Sequence, residues 1–314
     1  MSSEFFLVSY LHSIHHFCFL LGQINNLTLL SLIYHKANEK FGTYRYIMAV
    51  FSAHSLVYAW IEISTMPLMY SKVPGFVIMM NSRWKSHVEL GHFLVASYCG
   101  TFGLCIAFLA SQFVYRYIAV CKQKYTRFVD GYKCVHFMWP CVVICVIWFS
   151  LVYFGMGMSV EKQEFFRDDV FRIYSENITS IGFAALLYWD KQGNWNFDSL
   201  FSIVGFDIII AICVTVILFC GISIFHDLRE KENLMSVRKV DLQKQLFITL
   251  TFQTLLPFIL MYLAVGFVIT SPLLSIEVGK FANITGFTVA IYPSLEPCIA
   301  ILCIRDFRNT LMCE

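Results

Sequence analysis

Three acidic residues stand inside otherwise uncharged runs of this chain: Glu62, Asp207 and Glu296. An ionisable side chain in hydrocarbon costs roughly 2.5–3.5 kcal/mol on insertion scales, so each is a candidate ligand contact or switch. Glu62 and Asp207 suit ligand contact, and Glu296 suits switching. The plainer role for each is an acid held by hydrogen bonds in the packing. His12, His15 and His16 lie together in the first apolar run. His12 and His16 share a helix face, a spacing a metal can use. No third ligand is placed beside them, so hydrogen-bonded or pocket-lining roles are expected and no metal. Arg116 sits between Tyr115 and Tyr117 and ends an uncharged run of 26 residues, Leu90–Tyr115. It is either a surface anchor or a conformational latch, with Asp241 as a possible counter-charge. Pro257, and Pro293 and Pro297 in Tyr292-Pro293-Ser294-Leu295-Glu296-Pro297, each remove a helix hydrogen bond. They free the carbonyls of Gln253, Val289 and Pro293 and mark hinges. The chain has no nucleophile elbow, phosphate loop, zinc-protease motif or paired catalytic carboxylates. Neither enzyme activity nor a cofactor is expected.

These residues need helices that cross a bilayer. The 314 residues are 58% hydrophobic and only 14% charged, against about 25% charged in soluble domains. Seven runs qualify as spans: 6–33, 46–66, 91–115, 135–154, 199–225, 245–270 and 281–304. The expected fold is an all-α membrane protein, a single seven-helix domain over residues 1–314. The third run would extend about 39 Å as a helix, more than a ~30 Å hydrocarbon core needs. Its small residues Gly91, Ala96, Ser97, Gly100, Gly103, Ala107, Ala110 and Ser111 suit close helix packing, which places it at the centre. The first run is too long for a signal-peptide core and no Lys or Arg precedes it, so it reads as a retained span.

Lys and Arg set the orientation. Segments 34–45, 116–134, 226–244 and 305–314 hold 15 of them, and segments 1–5, 67–90, 155–198 and 271–280 hold 8. The bias places the N-terminus outside and the C-terminus in the cytoplasm. The one long outer loop, 155–198, carries the sequon Asn177-Ile178-Thr179, an expected glycosylation site. The sequons at Asn26 and Asn283 fall in or beside spans and are expected to be silent. None of the 12 cysteines lies in an outer loop; Cys121 and Cys313 are candidates for palmitoylation. At this orientation Glu62 lies roughly 24 Å from the inner face and Asp207 roughly 12 Å below the outer one, so both can line an outward cavity. Glu296 lies in the inner half, and no direct pair with Glu62 is expected. A net charge of +2 gives no case for nucleic acid.

Four stretches in register carry a family resemblance: Phe41-Gly42-Thr43-Tyr44-Arg45-Tyr46-Ile47-Met48; Phe113-Val114-Tyr115-Arg116-Tyr117; Gln245-Leu246-Phe247 with Gln253-Thr254 and Pro257; and Ile291-Tyr292-Pro293 with Glu296-Pro297, Ile304 and Phe307-Arg308. Together they resemble the nematode Str-type serpentine chemoreceptors, over nearly the whole chain. Two departures are Glu296, where the family usually has Asp, and the lack of a proline just after Tyr262. The resemblance implies a G-protein-coupled receptor at the plasma membrane of a sensory neuron, typically on the cilium, with Arg116 matching the family's Tyr-Arg-Tyr element.

The expected function is therefore a chemosensory receptor. A small odorant or pheromone-like ligand enters from outside, bound by Glu62, Tyr98, Phe102, Asp207, Tyr262 and Phe287. The switch and G-protein-coupling residues are Tyr115, Arg116, Tyr117, Pro257, Tyr292, Pro293, Glu296 and Pro297. The rival is a ligand-gated cation channel of the seven-helix odorant-receptor kind, whose N-terminus lies inside, against the charge bias. A transporter lacks support because no internal repeat is visible, and the intramembrane acids weigh against a bare scaffold.

Overall fold

The computed structural model describes residues 2–37, 41–131, 133–231 and 237–312, with side chains placed except at 2–8, 135, 136 and 237–239. Cys313 lies outside the described residues. The chain is a helical bundle. α1 spans Ser2–Lys36, α2 Tyr44–Thr65 and α3 Val88–Cys121. The fourth crossing is interrupted: α4 (Lys133–Phe137) ends at a turn on Met138, and α5 (Trp139–Ser150) starts with Pro140 in its first turn. Proline fits a helix start and cannot continue a preceding one. α5 runs on as a π turn, Leu151–Gly155. α6 spans Val160–Tyr174 and α7 Phe197–Glu230. α8 (Val237–Pro257) passes through a second π turn, Phe258–Leu263, into α9 (Ala264–Thr270). α10 spans Ala282–Cys303, and α11 (Arg305–Met312) ends the described chain. Six of these helices or helix runs are long and apolar enough to cross a membrane, and the bent α5–α6 pair brings the number to seven. α6 itself carries Glu161, Lys162, Glu164, Arg167, Asp168, Asp169 and Arg172, so α4, α5 and the π turn supply that crossing.

α3 is the centre. It packs on α2, α5, α7 and α8, and its glycines are where neighbours come close. A Cβ on Gly103 would stand 2.5 Å from the Trp148 ring, and one on Gly100 3.2 Å from Phe149. α1 closes the bundle against α2 and α10.

An all-α reading misses one element. The connections after α2 and α6 form a three-stranded antiparallel sheet of β1 (Pro67–Lys72), β2 (Gly75–Met80) and β3 (Phe183–Leu187), in that order. β1 is apolar at its start and ends in Ser71-Lys72, β2 is apolar throughout, and Val73-Pro74 joins them. Strand side chains alternate between faces. Met69, Phe76, Ile78, Met80, Ala184 and Leu186 join the bundle core. Leu68, Tyr70, Val77, Met79, Phe183 and Ala185 pack in a second core with Phe166, Val170 and Tyr174 of α6. The sheet thus covers one end of the bundle, and α6 covers the sheet.

The lid is tied down by charge and by backbone. The Asp169 carboxylate accepts from Lys72 Nζ at 2.6 Å and from Arg172 at 2.5 Å, and Lys85 pairs with Glu176. Tyr174 donates to the Met69 carbonyl at 3.1 Å, and Asn283 donates to the Tyr174 oxygen at 2.7 Å. Lys162 is the unusual member: its ammonium is buried and donates to the carbonyls of Gly155 and Gly157 at 3.4 and 3.0 Å. Burial pushes its pKa down from 10.5 to about 8. Below about pH 8 the folded lid carries the full cost of a buried charge, about 3 kcal/mol at 1.36 kcal/mol per pH unit. That cost falls away as pH rises toward 10.5, because the folded state then releases its proton before the unfolded state does. The melting temperature is expected to climb between pH 7.5 and 9.5 in the wild type and to stay flat in Lys162→Met. A wild-type profile no steeper than that of the variant would refute this.

Candidate functional site

Beneath the sheet lies a cavity of about 60 Å³. Its roof is Met69, Phe76 and Ile78; its walls are Tyr98, Cys99 and Phe102 of α3, Trp148 of α5, Val152 and Met156, Phe206 of α7, Val265, Val268 and Ile269 of α9, and Thr285 and Val289 of α10. The lining is almost wholly apolar. Tyr98 presents its ring to the cavity and packs against Tyr58 behind it, with ring centroids 5.6 Å apart. A molecule occupying this space is held by dispersion and desolvation.

The residues expected at a ligand site divide. Tyr98 and Phe102 line the cavity. Tyr262 stands just below it: its ring packs edge-on against Phe102 at 4.9 Å, and its hydroxyl donates to the Phe102 carbonyl at 3.2 Å. Glu62 does not line the cavity. It is buried one layer back, bonded to His15 Nδ1. Asp207 is a correction: it is exposed on the outward face of α7, and its neighbour Phe206 faces the cavity instead. One residue is about 100° of helix turn, and apolar runs uncharged all round do not say which face is inward. Phe287 is half-buried on α10 and does not line this cavity. Thr285 and Val289, four apart, share the cavity face of α10, and Phe287 between them does not. The roof residues escape an all-α reading, although the turn dipeptide Pro74-Gly75 ahead of an apolar run is a readable signal.

The histidines separate. His15 bonds Glu62, His12 Nε2 lies 2.9 Å from Asn81 Nδ2, and His16 is exposed. No metal-binding group of three His, Cys, Asp or Glu forms among the described residues.

At the other end of the bundle Arg116 corrects two expectations. It is buried, because α3 continues past it to Cys121. Its guanidinium lies over the Tyr44 ring at 5.2 Å and donates to the Gln243 carbonyl at 3.2 Å, while its Nε has no partner. Asp241 is not its counter-charge: that carboxylate accepts from Arg305 at 3.1 Å and from Gln245 at 3.0 Å. Arg116 forms no ion pair among the described residues. Tyr115 stacks on Tyr44 at 6.0 Å, and Tyr117 packs beside Phe219 at 5.7 Å.

Glu296 is buried, and Gln253 donates to its Oε1, while its Oε2 has no partner. The Tyr292 hydroxyl accepts from Cys105 Sγ at 3.5 Å. Pro297 leaves the Pro293 carbonyl without its helix partner, and Asn26 Nδ2 supplies one at 2.7 Å; Asn25 Nδ2 donates to the next carbonyl, Ser294, at 2.8 Å. A side chain of α1 thus satisfies the carbonyl that Pro297 frees. After Pro257 the backbone widens into the π turn that carries Tyr262.

Asn177 and Thr179 are exposed in the lid, with Asn177 Oδ1 accepting from Thr179 Oγ1 at 2.8 Å. Asn26 and Asn283 are buried, and their amides are used inside the fold. Near the ends of α3, α7 and α8 a polar cleft of about 330 Å³ is lined by Ala119, Gln123, Thr126, Asp227, Lys231 and Gln243.

A family model described as serpentine type 7TM GPCR chemoreceptor Str matches residues 11–312. Serpentine receptor class r-10 of Caenorhabditis elegans is 31% identical over 293 residues, covering 91% of this chain and 85% of that protein. The Caenorhabditis briggsae protein of the same description is 31% identical over 294 residues, covering 91% and 84%. G-protein coupled receptor str-33 of Caenorhabditis elegans is 24% identical over 305 residues, covering 94% and 88%.

Proposed function

Because the chain belongs to the Str family of serpentine seven-transmembrane chemoreceptors, we propose that its cavity takes a small, largely apolar ligand and that its far end activates a heterotrimeric G protein. The family makes it a multi-pass membrane receptor, a class distinct from enzymes. The sheet end faces outside, with the N-terminus and Asn177, and the α11 end faces the cytoplasm. The charge bias supports this, and so does the single exposed sequon in the lid. Residues 1–314 act as one receptor unit at the plasma membrane of a sensory neuron, on its cilium.

The observation that carries the reading is a buried, apolar cavity at one end and, at the other, a buried arginine with no ion pair among the described residues, both built on α3. Ligand binding shifts a two-state bundle only through differential affinity. α8 and α10 are the moving parts, since Pro257 and Pro293 each remove a backbone hydrogen bond from them. The shift of α8 releases Arg116 from Gln243 and opens the 330 Å³ cleft to the partner. Tyr115, Tyr117, Tyr292 and Glu296 set the balance between the two states.

The test is ligand-evoked guanine-nucleotide exchange in membranes, across a panel of volatiles and small secreted metabolites. Surface delivery is checked by glycan on Asn177. Val289→Phe fills much of the cavity and is expected to cut ligand potency at least tenfold at equal surface level, and Arg116→Ala to abolish exchange. A ligand-evoked current without exchange, or a Val289→Phe receptor as responsive as wild type, would sink the reading.

A further inference from the structure

A second apolar space lies below the cavity, and it opens sideways. This crevice, of about 440 Å³, runs between α3, α7 and α8 and is lined by Ile106, Leu109 and Phe113 on one side and by Leu218, Leu255 and Phe258 among others at its rim. Leu218, Leu255 and Phe258 are 57%, 48% and 40% exposed, so the rim faces the bilayer. Toward α11 the two helices close again around Ile224, Leu228 and Leu250. Toward the sheet the crevice ends at Tyr262, whose ring and hydroxyl rest on Phe102, a wall of the cavity. One aromatic pair therefore lies between the lipid-facing crevice and the cavity.

The cavity itself has no opening toward the sheet end. Its roof residues are 2–4% exposed, and above the sheet lies the α6 layer. None of its lining residues is exposed. The partly exposed ones include Val265 and Ile269 on α9, a helix that packs on α10 and β2 and shares little packing with α7. Tyr262 belongs to the π turn after Pro257, where backbone hydrogen bonding departs from the α pattern. Of the two partition residues it is the one that lies in a π turn, while Phe102 lies within the regular helix α3.

We propose that the crevice is a binding site for small apolar molecules dissolved in the bilayer, and the antechamber from which they pass Tyr262 into the cavity. The route rests on the reading of the cavity as the ligand site. It also fixes the ligand class: molecules that partition into lipid, with potency following membrane concentration rather than aqueous concentration. Burial of apolar surface drives both steps, and the crevice offers no charge to hold a polar solute.

The test uses a short alkyl diazirine delivered in phosphatidylcholine vesicles to the receptor in lipid nanodiscs. A light flash at increasing times after mixing labels whatever the probe touches, and peptide mass spectrometry locates the adducts. Wild type is expected to show adducts on crevice residues first and on cavity residues such as Trp148 and Phe206 afterwards. Leu218→Trp and Leu255→Trp, both on the lipid-facing rim, are expected to slow cavity labelling at least tenfold without changing its final extent, since a narrowed path alters rates and not equilibrium. Lys72→Met and Asp169→Ala, which loosen the lid, are expected to leave the onset unchanged. Cavity labelling that ignores the rim variants, that quickens in the lid variants or that never follows crevice labelling overturns the proposal. Nucleotide exchange is scored separately: exchange with an altered route sinks only this inference, and cavity labelling without exchange for any ligand sinks the receptor mechanism.

Discussion

His15→Leu is expected to destabilise the receptor by about 3 kcal/mol or more, and adding Glu62→Leu to recover most of that loss. The two side chains are bonded to each other, 3% exposed each, between α1 and α2. The contact joins His15 Nδ1 to one Glu62 carboxyl oxygen. Removing the imidazole leaves a carboxyl group buried without its partner, and breaking a buried pair in that way costs roughly 3–5 kcal/mol. Replacing both by leucine removes the orphan as well as the bond, and such exchanges are often neutral or stabilising. The measurement is a double-mutant cycle on thermal unfolding in detergent, with surface level as a second readout. Additive losses in the double variant would show that the two residues act separately and that the buried pair is not what anchors α1. The cycle also bears on function, because Tyr58 and Tyr98 share the surroundings of Glu62 and Tyr98 is a wall of the cavity. If the pair is structural, the double leucine variant keeps its ligand response.

Gly182→Ala is expected to cost about 3 kcal/mol or more by lifting the lid off α3. A Cβ at that position would stand 2.3 Å from the Gly91 carbonyl carbon and 2.4 Å from His92 N. Both are backbone atoms of the central helix and cannot swing aside, so the strand must move. Its attachments would be strained with it: the bond from Met80 N to the Gly182 carbonyl at 3.0 Å and the contact of His92 Nδ1 with the Phe183 carbonyl at 2.8 Å. Overpacking a tight contact costs about 1–3 kcal/mol, and losing a buried hydrogen bond adds to it. Gly266→Ala is the control, since its Cβ would meet nothing within 4 Å and alanine favours the helix. A melting temperature equal in the two variants would show that β3 is not seated against α3.

Composition and the spacing of charges were enough to establish a polytopic helical bundle. Uncharged runs of this length have no stable place in water, and the bilayer allows only closed hydrogen-bonded elements across it. The central place of α3 was also readable, because Gly91, Gly100 and Gly103 on one span announce close neighbours, and these neighbours are Gly182, Phe149 and Trp148. Proline positions located the weak points of α8 and α10 for a local reason: each ring deletes a known backbone bond.

Which side chains meet was not local. Asp207 and Phe206 are adjacent in sequence, yet one is exposed and the other lines the cavity, a choice made by the rotation of α7 against α3 and α5. The partners of Glu62, Arg116 and Asp241 are 47, 127 and 64 residues away in the chain, at His15, Gln243 and Arg305. The lid needed three segments to come together before any of them had a partner strand: β2 pairs with β1 nearby and with β3 about a hundred residues later. Sequence fixes the inventory of apolar surface and backbone donors in each segment. Only the packed bundle decides which of those surfaces meet, because helix rotation and strand partners are settled by the sum of many contacts and not by any one residue.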